Sequence, residues 1–422
     1  MPFDLLFYVK AAIAIIAVFA VCVTLHEFGH FYVAKKSGVA VPVFAIGFGP
    51  KLFKWVRGGT EYSVRLLPLG GFVQMAGEAP QETWFPVGHE VAYELNESLQ
   101  IITLGDPKDM PKAYVGVVRR ADLTDKLEMS IETAEGVRTF KVKPYARVMM
   151  NARSSIPLVE KHEQVLGKPL YKRAAIILAG PVMNFLLAGV LFAAVNTYTG
   201  VRTTVISQVE PRTPAQVAGL QPGDKIVMLN HEPIGNWIQL VNRIRSGSAS
   251  TTGHPQPLNI TVKRGGVDRT VAVTPEMTKQ GVPVIGIESV VTHNPLRTIP
   301  SGFSALVRDT WLTLQGYKSL VVQHQYAALS GPVGIADVIT QQVRFGFWHV
   351  VMIAGVLSLN LGLFNLIPIP ALDGGRLLFI LVELIRGRKV DPQKEGFVHF
   401  VGFALLMLFA VVITYRDVTH LF

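Results

Sequence analysis

The chain has 422 residues, half of them hydrophobic and only 17% charged, with a mean hydropathy of +0.36, whereas a soluble domain carries about a quarter charged residues. The apolar residues come in blocks rather than at strand or helix spacing, which excludes an ordinary soluble enzyme and points to a multi-pass membrane protein. The net charge of +10 comes without a basic-aromatic motif for nucleic acid, so cations flanking membrane spans account for it better.

Residues 1–36 read as the first transmembrane helix. Its single cysteine, Cys22, is the only one in the chain, so no internal disulfide can form. A cleaved signal peptide is the alternative, but cleavage would remove or strand the residues that follow, and the segment reads as an uncleaved anchor. Those residues are Leu25-His26-Glu27-Phe28-Gly29-His30. His26 and His30 stand four apart, so on a helix both imidazoles share one face and can share a metal ion. Glu27 lies beside them, where a carboxylate can take a proton from an activated water. Chance would put such a trio in a polar helix more readily than in an apolar one, where ionisable groups are costly and functional.

Residues 37–76 are rich in glycine and β-formers. Phe44–Val56 and Tyr62–Leu66 flank Gly58-Gly59, which predicts a β-hairpin too apolar for a soluble loop and suited to a membrane-associated position beside the metal site. Residues 77–170 turn charged and alternating, a small β-rich insert without a catalytic motif, in which His89 and His162 read as surface histidines. Residues 171–199 form the second span, interrupted by Gly180-Pro181; Asn184, one turn on, either packs or faces the site. Residues 200–292 read as one soluble α+β module built around the Gly219–Asp224 turn. Residues 293–345 contain an amphipathic helix over Phe303–Val322 and a linker. Residues 346–376 carry the third span and the run Asn365 to Gly375, and residues 377–422 a loop and the fourth span.

With four spans, the first and third run parallel, so their C-terminal ends share one side of the bilayer. Asp373, just past the third, is the other carboxylate at the depth of the histidine pair. Two histidines, one carboxylate and an open position match a catalytic zinc site; the plain alternative is a turn aspartate before Gly374-Gly375. Lys35, Lys36, Lys168, Lys172, Arg173, Arg386, Arg388 and Lys389 outnumber Lys10, Arg202 and Arg416 across the spans. The site and first insert are therefore expected toward the cytoplasm, with the termini and the 200–292 module outside.

Four motifs carry a family resemblance: His26–His30, Gly180–Asn184, Leu329–Pro332 and Asn365–Gly374. With them the chain resembles the bacterial site-2 proteases, intramembrane zinc metalloproteases, along nearly its whole length. The resemblance implies Zn2+ held by His26, His30 and Asp373, Glu27 as catalytic base, and Asn365 and Asn360 near the bound substrate. It implies that residues 200–292 are a PDZ domain; there is room for one, not two. It also implies residence in the bacterial inner membrane and, as substrates, single-span proteins such as anti-sigma factors or remnant signal peptides. A helical substrate must unwind before its carbonyls are open to attack, and the strand Tyr62–Leu66, with Tyr62, Val64 and Leu66, is the candidate edge for holding it by β-augmentation. The PDZ domain would take a peptide C-terminus. The rival readings are a non-catalytic PDZ-bearing membrane scaffold, for which Glu27 has no use, and a metal transporter, which the soluble module fits poorly.

Overall fold

The computed structural model describes residues 4–78, 84–151, 154–247, 255–323 and 330–421. Leu329, the first residue of the Leu-Ser-Gly-Pro run, lies outside them. Two compact units emerge, residues 1–189 with 308–422, and residues 190–307.

The larger unit opens with α1 (Leu5–Lys36), whose start is capped by Asp4 accepting from the Phe7 amide at 3.1 Å and whose last turn carries Lys35 and Lys36, cations that suit the carbonyl end of a helix. A hairpin follows, β1 (Val43–Arg57) and β2 (Thr60–Gln74). Both strands fold back on themselves. Phe44 pairs with Val73 and Tyr62, and Tyr62 pairs in turn with Phe44 and Trp55. The ribbon is therefore four segments wide, in the order 71–74, 43–46, 61–64, 53–56. This corrects the expectation for the edge strand: Tyr62 and Val64 have strand neighbours on both sides, and Leu66 lies beyond the doubly paired stretch. The outer segments are Gly71–Gln74 and Phe53–Val56. Phe53, Trp55, Val56, Leu66 and Leu67 are all more than half exposed.

The insert is β3 (Glu90–Leu95), β4 (Ile101–Gly105), β5 (Tyr114–Asp122), β6 (Glu128–Thr133), β7 (Gly136–Asn151) and β8 (Ser154–Pro157). Its sheet runs β4-β3-β5-β6-β7-β8, and an extra parallel pairing of β4 with β7 closes the first five into a ring. Alternating inward residues such as Ile101, Leu104, Val118, Met129 and Ile131 fill the ring completely buried.

Next comes α2 (Leu170–Thr199), which runs unbroken through Pro181 although Gly180-Pro181 predicts an interruption. The smaller unit holds β9 (Val201–Val209), α3 (Pro214–Val217), β10 (Lys225–Leu229), β11 (Glu232–Pro233), α4 (Trp237–Gly247), β12 (Leu258–Arg264), β13 (Val267–Val273), β14 (Glu276–Met277), β15 (Pro283–Val284) and β16 (Ile287–Thr292). Its sheet order β13-β12-β10-β9-β16 leaves β16 at an edge, and Ile206, Ile226, Leu240, Leu258 and Ile260 form its core.

The chain closes with α5 (Pro295–Val322), longer than the amphipathic pattern predicts, then α6 (Pro332–Phe345), α7 (Phe347–Leu366), α8 (Asp373–Arg386) and α9 (Pro392–Leu421). The helix α8 stands where the sequence reads as a loop. Its apolar residues were not a span-length run, and Leu372 and Gly387 bound it too closely for one. Among the described residues, α1, α2, α7 and α9 are long and apolar enough to cross a membrane. Val18 and Cys22 of α1, Ile339 of α6 and Leu357 and Leu361 of α7 share one apolar cluster.

Candidate metal centre

The local geometry of α1 puts His26 and His30 on one face, and what they face is α2. Close approach there depends on two glycines. A Cβ on Gly29 would lie 2.3 Å from the Ala179 carbonyl oxygen, and one on Gly180 would lie 2.3 Å from His30 Nε2 and 2.7 Å from His26 Cε1. The histidine rings thus occupy the space that a side chain at 180 would take.

The same helix supplies the outer partners of both rings. His30 Nδ1 is 2.8 Å from the Ile176 carbonyl oxygen; a carbonyl only accepts, so Nδ1 carries the proton and Nε2 keeps a free lone pair. His26 Nδ1 meets the Asn184 amide at 3.1 Å, and Ser358 Oγ of α7 donates to the Asn184 carbonyl at 2.9 Å. Asn184 Oδ1 is buried without a partner. With the amide turned so that Oδ1 faces the ring, that atom gains a bond, Nδ1 donates, and the Nε2 lone pair of His26 is freed as well.

Both free nitrogens point at Asp373, the first residue of α8. Nε2 of His26 and of His30 are 3.2 Å apart and lie 3.2 and 3.4 Å from Asp373 Oδ2, an atom that is buried with no hydrogen-bond partner. The three possible ligand atoms all fall within 4.8 Å of one another. Ligands about 2.0–2.1 Å from a tetrahedral zinc ion are roughly 3.3–3.4 Å apart, so this donor set, its spacing and its orphaned oxygen fit that ion. Close packing brings Asp373 here: a Cβ on Gly374 would lie 2.2 Å from the Ile367 carbonyl oxygen and one on Gly375 2.4 Å from that of Ile369.

Glu27 points across the site, where its Oε2 accepts from the Val73 amide at 3.0 Å. That N–H therefore faces away from β1, and the outer segment Gly71–Gln74 borders the site rather than Tyr62–Leu66. A cavity of about 360 Å³ contains His26, Glu27, His30, Phe72, Asn365 and Asp373 in its lining. Asn365 is in it and Asn360 is not: Asn360 Oδ1 accepts from Tyr317 at 3.2 Å, and its amide donates back to the Val356 carbonyl. The structure thus does not bring Asn360 to the cavity beside Asn365, since five residues on a helix turn a side chain well away from its predecessor's direction.

Two lining residues carry no signal in the motifs. Arg376, one turn into α8, donates to Glu78 at 2.8 Å, and both line the cavity. Arg173, expected as a flanking cation, is instead buried with Glu383 of α8 in an ion pair of 2.7 Å. In the smaller unit, a groove of about 460 Å³ lies between α4 (Leu240, Ile244) and Ile285, Gly286 and Ile287 at the start of β16.

A family model described as peptidase family M50 matches residues 14–409. A protein of Geobacillus kaustophilus described as zinc metalloprotease RasP is 40% identical over 98% of this chain and 99% of its own length. One of Bacillus subtilis, described as regulator of sigma-W protease RasP, is 34% identical over 98% of this chain and 100% of its own. Among solved structures, the PDZ domain of an SdrC-like protein from Listeria monocytogenes aligns with 21% of this chain and 88% of its own at 22% identity and a TM-score of 0.18.

Proposed function

The chain belongs to peptidase family M50 and is an intramembrane zinc metalloprotease, and from that premise we propose that His26, His30 and Asp373 hold the Zn2+ and that Glu27 is the catalytic base. The observation that carries this is the meeting of three donor atoms from α1 and α8, with the orphaned Asp373 oxygen aimed at two imidazole lone pairs. Bound there, zinc supplies a Lewis acid that acidifies water and polarises the scissile carbonyl.

The chain's own groups do the rest. Glu27 takes the proton of the attacking water and passes it to the leaving amine. Val73 N–H holds the Glu27 carboxylate toward the cavity. Asn365 offers its amide to the substrate backbone from the same cavity. An unwound substrate segment lies along the outer edge Gly71–Gln74, whose residues Phe72 and Val73 line the cavity; this replaces Tyr62–Leu66 as the docking strand. The exposed aromatic and aliphatic side chains of the hairpin support its contact with lipid.

Substrates are single-span membrane proteins, anti-sigma factors or remnant signal peptides among them. The excess of Lys and Arg at the α1 end and in the loop between α8 and α9 supports a cytoplasmic-side active site in a bacterial inner membrane, with residues 200–292 outside. That module acts as a PDZ domain. Its edge strand β16 and the apolar groove against α4 support a peptide C-terminus added as a further strand.

The test is cleavage of a single-span substrate by the purified protein. Glu27→Gln is expected to lower the rate by about 10²- to 10⁴-fold with one zinc still bound. Undiminished cleavage would remove Glu27 from its role, and lost zinc would make it a ligand rather than a base.

A further inference from the structure

The fourth apolar helix, α9, contributes no ligand and lines none of the metal cavity, yet it makes a polar bond to the turn that delivers Asp373. Ala371, two residues before that carboxylate, has a φ of +78°, in the left-handed region that a residue with a Cβ adopts only when its surroundings hold it there. Its amide donates to His399 Nδ1 of α9 at 2.8 Å. One turn further along α9, Gly402 lets the same turn press close: a Cβ at 402 would lie 2.4 Å from Pro370 Cβ and 2.7 Å from the Pro370 carbonyl oxygen. The His399 ring also packs on Phe379 of α8, with ring centres 5.5 Å apart.

We infer that His399 is a positioning residue for the metal ligand Asp373: through the Ala371 amide it holds the Ile369–Leu372 turn in its left-handed form, and so sets where α8 begins. This deepens the proposed function and rests on Asp373 being a zinc ligand. Nδ1 must be unprotonated to accept the amide, which leaves the proton on Nε2, a buried atom without a hydrogen-bond partner that lies 3.9 Å from Glu395 Oε1. The effect runs through the backbone. Ala371 lines the cavity and the ring does not, so His399 reaches the site through the turn rather than by lining it.

The experiment measures zinc affinity of the full-length chain in detergent by competition with a chelator. His399→Ala is expected to weaken zinc binding about 10- to 100-fold, as losing a group that orients a ligand does. In His399→Asn the side-chain oxygen reaches the place of Nδ1, so affinity stays within about threefold of wild type, the small residual expected when a neutral acceptor is kept. In the double variant His399→Ala with Ala371→Gly, affinity is regained in part, because glycine takes a positive φ without strain. Unchanged affinity in His399→Ala overturns the inference. So does a loss that neither His399→Asn nor Ala371→Gly recovers, which would reduce His399 to packing. Should His399→Ala not fold, His399→Asn against His399→Gln decides, since glutamine carries its acceptor to the Nε2 position; equal affinities overturn the inference. Asp373→Ala in the same assay separates the two levels. If it weakens zinc binding and His399→Ala does not, the positioning role alone falls; if Asp373→Ala binds as wild type, the ligand assignment falls and the inference with it.

Discussion

Gly180 has a chemical duty although it has no side chain. The His26 and His30 rings lie where its Cβ would go, and neither ring can retreat, since each Nδ1 is held from α2 itself. Gly180→Ala is therefore expected to cost the chain its zinc while leaving α2 helical, because alanine is the better helix former. Metal analysis of the purified variant checks this, and full zinc occupancy would show that the rings have room. The pairing of His26 with His30 was legible at once, as helical period is a local property. Asn184 stood undecided between packing and the site because its partner is 158 residues away. Asn360 and Asn365 looked alike in sequence, and only their neighbours separate them.

Helix α8 shows how the proposed ligand Asp373 is anchored by charges remote from it. Arg173 of α2 and Glu383 of α8 are 7% and 10% exposed and bonded at 2.7 Å. The Arg376 pair with Glu78 ties the other end of α8 to the segment after the hairpin. Removing one partner of a buried pair strands a charge and costs about 3–5 kcal/mol, whereas replacing both by apolar residues of similar volume is close to neutral. Arg173→Met is accordingly expected to destabilise the chain strongly, and Arg173→Met with Glu383→Leu to recover most of the loss, read from thermal unfolding in detergent. Equal destabilisation in both would mean that the pair stabilises as an ion pair. The hairpin makes the complementary point. Its strands and glycine turn follow from composition, but the register that folds each strand back on itself pairs residues up to 31 positions apart, Val43 with Gln74. Which edge is free depends on that register, so Gly71–Gln74 could not be read off ahead of Tyr62–Leu66.

The molecule as a whole divides into a larger unit that holds the histidine pair and Asp373 and a smaller unit with its own core. The latter is stapled by one polar group. Asp224 is fully buried and accepts from Arg264 Nε and a second guanidinium nitrogen at 2.6 Å each and from the Gln221 amide at 2.9 Å. Burial alone would raise its pKa, but the Arg264 guanidinium and the amide outweigh it and hold the carboxyl below its usual value. A depressed folded-state pKa means stability that is present above the unfolded value, about 3.9, and lost as pH falls through the folded value. The unit's thermal midpoint, followed by Trp237 fluorescence with the other tryptophans replaced by phenylalanine, should not vary on this account between about pH 5 and 8 and should drop in more acid solution. Asp224→Asn should lower the plateau and remove that drop; a drop that persists would place the acid sensitivity elsewhere.

Composition, block hydropathy and the four-residue histidine spacing were enough to point to a membrane protein with four long apolar helices among the described residues and to a histidine pair with a carboxylate beside it. Those properties are local or additive, and each is complete within a window of about 20 residues. Asp373, expected beside the histidine pair, does lie within 3.4 Å of both imidazoles. The tautomers of the histidines, the glycine that admits them, the helix that starts at Asp373 and the His399 bond that sets its turn arise from contacts between segments tens to hundreds of residues apart. Packing density and hydrogen-bond geometry choose among such contacts, and no linear pattern records that choice.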